Sequence, residues 1–537
     1  MAYKDLRDFI NDLDQKGLLY RVKRTINKDT ELMPLVRWQF RGLPSDERKA
    51  FLFESLTDSR GRSFDAKVAV GILGASRPIY AAGMGCKVEE IQERWVQAQR
   101  FPIPPKMVDG GPVKEVILQG DALLEAGGID KFPIPISTPG YDTAPYLSSP
   151  YVVTKDPETS IVNVGTYRGM IKGRTRTGIM THGAQHIGIH LEKARRLGQN
   201  LPAAIILGCV PYVGMCSVAK IPYGVNEYDV AGGLAGAPIE LVKCETVDLE
   251  VPATSEIVVE GELSTEYLED EAPFGEYSGY MGERAKNHVF NISCITHRRK
   301  PIYQAFISQF PPSESSMIRK ISYDALMLKF LKYDCNIPTV QRVAFHEMSG
   351  SWMYIVIQLD KTNPSQPWQA LNAAVALDPT IGKIIITVDP DIDPDDPESV
   401  NWALSFCMQP HLDVRITTGK SSMLDPSAAP SGTETEDRRF PKPVGTSAML
   451  IDATRKHAYP TVSLPAKEYM DHAKEIWEEL GLPPLKTRYP YHGYALGYWP
   501  EEWDKEAQMA VQGLYLETGE KLAQRRKPFR GWKEAKE

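Results

Sequence analysis

Apolar positions near the N-terminus follow a helical period and then give way to short extended runs. Between residues 5 and 19 they recur every three or four positions, at Leu6, Phe9, Ile10 and Leu13. This spacing predicts a helix with one buried face. A strand-like run at 67–73 and a second helical run at 88–98 follow, so the first part of the chain predicts an α/β unit.

The middle of the chain is dominated by short β-rich runs separated by turn residues, at 160–167, 203–209, 256–262 and 289–297. With one helical interruption at 185–197, this spacing predicts a barrel or a sandwich. Residues 201–219 carry no charge, but prolines and glycines interrupt them. We interpret this segment as a buried strand-turn-strand and not as a membrane span.

After residue 316, helical and strand-like runs alternate, at 323–332, 352–359, 367–377 and 384–388. This alternation predicts a second α/β domain. The acidic run at 389–396 has proline where a calcium-binding EF-hand loop requires glycine, so we interpret it as a loop that caps a helix beginning near Pro397. Residues 427–443 are predicted to form a mobile loop or lid.

A helix is predicted over 500–524, followed by a basic tail at 525–533. The tail is either solvated or an arm that grips a neighbouring subunit or a phosphate. Together these patterns predict an N-terminal α/β domain at 1–125, a central β domain at 126–315, a C-terminal α/β domain at 316–485, and a C-terminal helix and basic tail at 486–537.

Composition narrows the class of protein. The 537 residues include 42% hydrophobic and 24% charged residues, which is ordinary globular usage. The net charge of −7 provides no positive field for nucleic acid or an anionic membrane. Seven scattered cysteines contain no Cys-x-x-Cys pair, and the N-terminus lacks a secretion signal, so we expect a cytoplasmic protein with reduced thiols.

Two acidic residues, Glu271 and Glu276, form the most informative short motif, EAPFGE. Its Pro and Gly favour a bend that can direct both carboxyls into one pocket. Carboxyls held close together cannot both ionise freely, so one can retain a proton and act as a general acid. The alternative interpretation is an ordinary polar turn.

Three histidines, His182, His186 and His190, recur every four residues. On a helix their imidazoles share one face, but two turns spread them over about 12 Å, so at most two can bind one metal ion. The alternative is that they are surface or core histidines without a ligand.

Four blocks together resemble, in order and spacing, the UbiD-type decarboxylases: NVGTYR at 163–168, QHI at 185–187, GVNEYD at 224–229 and EAPFGE at 271–276. The run at 242–257 is also similar, and the likeness extends from residue 1 to about residue 480. The resemblance implies that the central domain is a split β-barrel that binds prenylated flavin mononucleotide (prenylated FMN). The implied overall fold is α/β plus β, with α/β domains on either side of that barrel.

The resemblance implies a carboxy-lyase that decarboxylates an aromatic or α,β-unsaturated carboxylic acid reversibly and without oxidation. It implies a metal, Mn²⁺ or alternatively Mg²⁺ or Fe²⁺, with K⁺ alongside. Other implied partners are a flavin prenyltransferase that supplies the cofactor and further copies of the chain in a homodimer or homohexamer. No nucleic acid or membrane partner is implied.

The same resemblance assigns roles to residues of this chain. The catalytic positions are Arg168, Glu271 and Glu276, where Glu276 donates the proton that replaces the lost carboxylate. The metal ligands are Asn163, His186 and Glu227, a mixed set that suits manganese or magnesium. The cofactor-binding positions are Gly165, Thr166, Tyr167, Arg168, Gln185, His186, Ser217, Lys220 and Glu227. His182 and His190 then line the pocket or serve the fold.

One departure concerns the cofactor phosphate. Where many relatives carry a lysine, this chain has Ala448, so Lys442, Lys220 or the metal must compensate, or the phosphate is held less tightly. The insertion at 427–443 and the extended C-terminus suggest a bulky substrate or one activated as a coenzyme A thioester. The alternative functions are a split-barrel FMN-dependent oxidoreductase and a subunit of a multi-subunit aryl carboxylase.

Overall fold

The computed structural model of the chain describes residues 2–181, 183, 185–271, 273–282, 284–420, 424–425, 427–428 and 446–527. They form two compact units. The larger unit runs to Thr387 and includes Val414–Asp452, and the smaller unit comprises Val388–Asp413 and the residues from Ala453 onward. Among the described residues, no helix has the length and apolar character that a membrane crossing requires.

The first helix, α1 (Leu6–Gln15), begins where Asp5 accepts a hydrogen bond from the backbone N–H of Asp8. Its four periodic apolar side chains are all buried. The predicted helix is therefore confirmed, but it ends earlier than expected because Gly17 adopts a positive φ of 68° and a strand begins at Leu19.

The N-terminal part of the larger unit contains helices and strands in alternation. The helices are α2 (Leu32–Gly42), α3 (Arg77–Met84) and α4 (Ile91–Arg100). The strands are β1 (Leu19–Val22), β2 (Ile26–Asn27), β3 (Ala50–Phe53), β4 (Leu56–Thr57), β5 (Ser63–Phe64) and β6 (Lys67–Val70). β1, β3 and β6 form one sheet, which confirms the predicted α/β character of this part.

The central part contains most of the strands. They are β7 (Lys106–Met107), β8 (Val116–Gln119), β9 (Tyr146–Leu147), β10 (Tyr151–Lys155), β11 (Val162–Thr166), β12 (Gly169–Gly173), β13 (Arg176–Ile179), β14 (Leu201–Leu207), β15 (Glu240–Lys243), β16 (Glu250–Pro252), β17 (Ile257–Glu271), β18 (Phe274–Gly275), β19 (Met281–Gly282), β20 (Ala285–His297) and β21 (Ile302–Ala305). Four helices interrupt them: α5 (Asp121–Glu125), α6 (His186–Arg196), α7 (Pro211–Val218) and α8 (Glu227–Ala235).

Nine of these strands form one curled, half-barrel sheet with the order β11-β10-β14-β17-β20-β13-β12-β9, and β8 pairs with β20 at its side. The paired neighbours are antiparallel throughout. The long partners β17 and β20 run from the buried core to the segment that carries Glu271. The predicted fold class, α/β domains with a central split barrel, is confirmed. β21 joins the N-terminal sheet beside β6.

The interpretation of residues 201–219 as strand-turn-strand is half wrong. The first half is strand β14, but the second half is helix α7, which begins at Pro211. Pro is favoured in the first turn of a helix, because the N–H groups of that turn have no hydrogen-bond acceptor within the helix. Every residue of α7 from Pro211 to Ser217 is buried. A helix that is buried on all sides has no polar face, so its sequence lacks the periodic change between apolar and polar residues that marks a surface helix.

The C-terminal part of the larger unit is again α/β. Its elements are α9 (Glu314–Lys329), α10 (Gln366–Ala376), β22 (Val340–Phe345), β23 (Tyr354–Leu359), β24 (Ile384–Val388), β25 (Val414–Thr418) and β26 (Ser447–Asp452). The five strands form a sheet with the order β22-β23-β24-β26-β25. A second apolar core lies around this sheet and α9.

The smaller unit contains α11 (Pro397–Phe406), α12 (Pro410–Asp413), β27 (Tyr459–Pro460), α13 (Lys467–Glu479), β28 (Gly497–Tyr498), α14 (Glu501–Val511) and α15 (Tyr515–Ala523). Asp396 caps α11, as predicted, by accepting hydrogen bonds from the backbone of Glu398 and Ser399. The single helix predicted over 500–524 is wrong, because Gly513 has a φ of 81° and separates two helices.

Candidate active site

Arg168 lies between strands β11 and β12 and forms a bidentate ion pair with Glu271, the last residue of β17. Its Nε donates to Oε1 and its Nη2 donates to Oε2, both over 3.2 Å. The Glu271 side chain is fully buried and that of Arg168 is nearly so. A planar guanidinium that faces both oxygens fixes the position and the orientation of the carboxylate.

Glu276 contacts the same guanidinium from another side. It directly follows β18, and its Oε1 forms a close ion pair with Nη1 of Arg168. A tight turn holds it in place, because its backbone N–H donates to the carbonyl of Tyr280 over 2.9 Å and its carbonyl accepts from Gly279. The structure thus brings the three predicted catalytic residues together around one guanidinium.

Two further side chains contact the trio formed by Arg168, Glu271 and Glu276. Asn287 Nδ2 donates to Glu271 Oε2 over 2.9 Å, and the Phe274 ring lies 5.0 Å from the Arg168 guanidinium carbon. Sequence reasoning missed Asn287. The signal that finds it is strand register, because Asn287 of β20 is paired with Glu269 of β17, two residues before Glu271.

The charges of the trio do not balance if both carboxyls are ionised. One guanidinium then faces two carboxylates in a site from which water is largely excluded. A proton on one carboxyl restores neutrality, which is the arrangement of paired acids at proton-transfer sites. The geometry therefore suits one carboxylate that stays ionised and one carboxyl that carries a transferable proton.

The three predicted metal ligands come from three elements that lie against one another. Asn163 is buried on β11, while His186 and Glu227 are the first residues of α6 and α8. Both helices pack against β11. The backbone N–H of Val164 on that strand donates to Glu227 Oε2 over 2.9 Å.

Burial shifts the pKa of two of the three predicted metal ligands. Burial raises the pKa of Glu227 to about 8, and a positive ion beside it would reverse that shift. Burial, followed by the charge of Lys220, lowers the pKa of His186, which keeps the imidazole neutral and able to ligate.

In the described part of the chain, no group of three or more His, Cys, Asp or Glu side chains is arranged to hold a metal. The predicted set contains two such side chains and one amide. A carboxylate, a neutral imidazole and an amide oxygen suit a divalent ion that also binds phosphate oxygens.

The remaining predicted cofactor positions lie around β11. Thr166 Oγ1 and Ser217 Oγ are 2.9 Å apart, which links β11 to α7. Gly165 also lies on β11, Gln185 precedes α6, and burial raises the pKa of Tyr167. The helices α6, α7 and α8 all pack against β11, so these predicted positions lie on one strand and its neighbouring helices.

Lys220 follows α7 and forms a close ion pair with Asp378. Its ammonium lies 5.7 Å from the centre of the Trp352 ring. Ala448 is buried on β26 opposite Thr417, and Lys442 lies outside the described residues, as does most of the predicted lid at 427–443. The assignment of Lys220 to the cofactor phosphate stays a prediction.

Of the three histidines, the structure describes His186 and His190, and their surroundings differ. His190 is fully buried, its Nδ1 lies 2.9 Å from Thr154 Oγ1, and burial lowers its pKa to about 4. His182 lies outside the described residues, as does the tail beyond Lys527. The geometry of His190 is that of a neutral core histidine.

Two protein-family models match most of the chain. Residues 106–311 match the model of the 3-octaprenyl-4-hydroxybenzoate carboxy-lyase Rift-related domain (UbiD), and residues 316–453 match the C-terminal domain of the same enzymes. A phenolic acid decarboxylase of Bacillus subtilis is 30% identical over 469 residues, which cover 84% of this chain and 93% of that protein.

Solved structures are similar over nearly their whole length. The UbiD-class enzyme HmfF from Pelotomaculum thermopropionicum, in complex with prenylated FMN, is 30% identical with a TM-score of 0.74, covering 88% of this chain and 99% of that one. The closed form of vanillic acid decarboxylase from Sedimentibacter hydroxybenzoicus is 28% identical with a TM-score of 0.75, covering 89% and 99%.

Proposed function

This chain belongs to the UbiD family of carboxy-lyases, and we propose that it decarboxylates an aromatic or α,β-unsaturated acid, reversibly and without net oxidation, with prenylated FMN. The observation that carries the proposal is the buried Arg168 guanidinium between Glu271 and Glu276. The alternative of a redox flavoprotein gives no role to such a trio.

The proposed cofactor is the one in the HmfF complex. Bound there, it would provide the acceptor for the electron pair left behind when carbon dioxide departs. Asn163, His186 and Glu227 would hold a divalent ion, Mn²⁺ or alternatively Mg²⁺ or Fe²⁺, beside the phosphate. We propose K⁺ as a second ion near this site.

The proposed roles of the trio follow from charge and geometry. Arg168 cannot lose its proton, so its guanidinium remains charged and holds the Glu271 carboxyl in a fixed orientation. Glu276, in its protonated form, delivers a proton to the carbon that loses its carboxylate. The burial of all three side chains excludes water, which strengthens each of these electrostatic effects.

Relatives suggest the substrate class. The Bacillus subtilis relative is a phenolic acid decarboxylase and the Sedimentibacter relative a vanillic acid decarboxylase. We therefore propose an aromatic acid, free or as a coenzyme A thioester, with a flavin prenyltransferase as cofactor supplier and a homodimer or homohexamer as the assembly. A role as one subunit of a multi-subunit aryl carboxylase is the alternative.

The test is Glu276→Gln. The amide keeps the shape but cannot donate a carboxylic proton, so carbon dioxide release should fall by about 10²-fold to 10⁴-fold. Flavin and metal content should stay at the level of the unmodified protein. Both proteins are reconstituted anaerobically and assayed with a panel of aromatic acids, with deuterium uptake into the product as a second measurement.

Glu266→Gln is the matched control, because Glu266 is exposed on the same strand as Glu271. It should decarboxylate at the normal rate. If Glu276→Gln also turned over normally, Glu276 would not be the proton donor.

A further inference from the structure

Three side chains share one face of helix α6. His186, His190 and Lys193 lie at positions i, i+4 and i+7, which is the spacing of neighbours along one side of a helix. The ring of Tyr223, from the loop between α7 and α8, lies across this face. Its centre is 5.1 Å from that of His186 and 6.0 Å from that of His190, at interplanar angles of 79° and 67°. Tyr223 therefore packs edge-on against a predicted metal ligand.

The hydroxyl end of Tyr223 is anchored as well. It donates a close hydrogen bond to Oδ2 of Asp156, which directly follows β10. The same carboxylate accepts from Lys193 Nζ over 2.6 Å and from the backbone N–H groups of Glu158 and Thr159 over 2.9 and 3.2 Å. Asp156 is only 1% exposed, so solvent screens this anchor little. Tyr223 is thus held at both ends, by its ring and by its hydroxyl.

A fixed ring restricts the histidine that it contacts. An imidazole that can rotate about its side-chain torsions loses conformational entropy when a metal ion immobilises it. His186 is only partly buried, and the edge-on contact with Tyr223 limits its rotation before any ion binds. Groups that orient a ligating histidine typically change metal affinity by about tenfold to a hundredfold.

From this geometry we propose that Tyr223 is a positioning residue for the metal site, whose ring holds the His186 imidazole in the orientation that binds a divalent ion. Asp156 and Lys193 in turn hold the ring. The inference rests on the proposed function and deepens it, because the ion is the one proposed to lie beside the cofactor phosphate. Tyr223 acts through His186 and is not itself a ligand.

Mn²⁺ binding to the full-length protein measures this role without turnover. The protein is saturated with FMN and titrated with Mn²⁺, and free Mn²⁺ is followed by its electron paramagnetic resonance signal. Tyr223→Leu removes both the ring and its anchor and should weaken Mn²⁺ binding by about tenfold or more. Tyr223→Phe keeps the ring but loses the hydrogen bond, and should weaken Mn²⁺ binding by about threefold. Melting temperatures are measured in parallel, because a merely structural role would lower the melting temperature and leave the Mn²⁺ affinity unchanged.

A double variant shows whether Tyr223 acts through His186. In the His186→Ala background, Tyr223→Leu should cause no further loss of Mn²⁺ affinity, because the imidazole that Tyr223 orients is gone. If the two losses multiplied, Tyr223 would act independently of His186 and the proposal would be overturned.

Tyr491→Leu is the matched control. The ring of Tyr491 lies 4.8 Å from that of His492 at an interplanar angle of 88°, and its hydroxyl donates to Asp471 over 3.1 Å. Asp471 also forms a close ion pair with Lys467, so the same four residue types meet here. These residues belong to the smaller unit, which contains none of the predicted metal ligands. Tyr491→Leu should therefore bind Mn²⁺ normally, and an equal loss in this variant would count against the proposal.

The outcomes separate the positioning role from the proposed reaction. Tyr223-dependent Mn²⁺ binding supports the positioning role even if no acid releases carbon dioxide, in which case only the proposed reaction fails. Normal Mn²⁺ affinity in either Tyr223 variant overturns the role, as does a lack of Mn²⁺ binding by the unmodified protein, whether or not the enzyme decarboxylates. If Tyr223→Leu does not fold, the affinity of Tyr223→Phe decides.

Discussion

Replacing Arg168 with lysine tests whether the planar guanidinium fork, and not merely a positive charge, organises the site. Arg168 contacts three carboxylate oxygens at once, two on Glu271 and one on Glu276. A lysine ammonium is a single point charge on a flexible chain. It can approach one of the two carboxylates but cannot bridge both in the same geometry.

The size of the effect follows from the hydrogen bonds that a lysine cannot form. Arg168 donates two hydrogen bonds to Glu271 and forms an ion pair with Glu276. A contact of this kind with a charged group contributes about 1.5–3 kcal/mol, so the loss of two of the three contacts weakens the site by about 3–6 kcal/mol. These contacts fix the acids in the transition state, and each 1.36 kcal/mol lost there lowers the rate tenfold. We therefore expect kcat/KM to fall by about 10²-fold to 10⁴-fold.

The assay is carbon dioxide release from the best substrate of the panel by Arg168→Lys protein with verified flavin and metal content. The matched control is Arg195→Lys. Arg195 also forms a bidentate ion pair, but on the exposed surface of α6. Its Nε lies 2.9 Å from Oε2 of Glu192 and its Nη2 lies 2.7 Å from Oε1. Water and salt screen such a pair, so this variant should retain full activity and thermal stability.

A kcat/KM of Arg168→Lys within about threefold of the unmodified enzyme would refute the reasoning, since it would show that charge alone suffices. A loss of activity shared by Arg195→Lys would also count against it. In that case the effect would come from a general property of Arg-to-Lys exchange and not from the bridge between Glu271 and Glu276.

Two further predictions concern the histidines of α6. His186→Ala should lower metal and flavin content together, by about tenfold or more when both are measured after dialysis. If the variant kept its full metal and flavin content, His186 would not be a metal ligand. Burial lowers the pKa of His190 from 6.5 to about 4, so the unfolded chain binds the proton first as pH falls. The unfolding free energy should drop by about 3 kcal/mol between pH 6.5 and 4 in denaturant titrations. His190→Asn should flatten that slope and the exposed His472→Asn should not, and an unchanged slope in His190→Asn would contradict this assignment.

Local patterns predicted those elements whose sequence carries its own signal. The periodic face of α1 and the capping residue Asp396 of α11 are examples, because spacing and capping act within a few residues. Helix α7 was not predicted, because its local sequence contains neither a helical period nor a clear capping residue. Its apolar residues show no alternation, and only the surrounding core decides between helix and strand.

The residues of the site also fall into two groups, those that sequence motifs indicated and those that only the folded chain brings together. The order of four sequence motifs indicated Arg168, Glu271, Glu276 and the family. Only the tertiary structure placed Arg168 against Glu271, 103 residues away in the chain. It also decided that Asn287 joins them by a hydrogen bond to Glu271. Contacts of this kind depend on the register between distant strands, and that register is set by packing of the whole sheet, which no local pattern encodes.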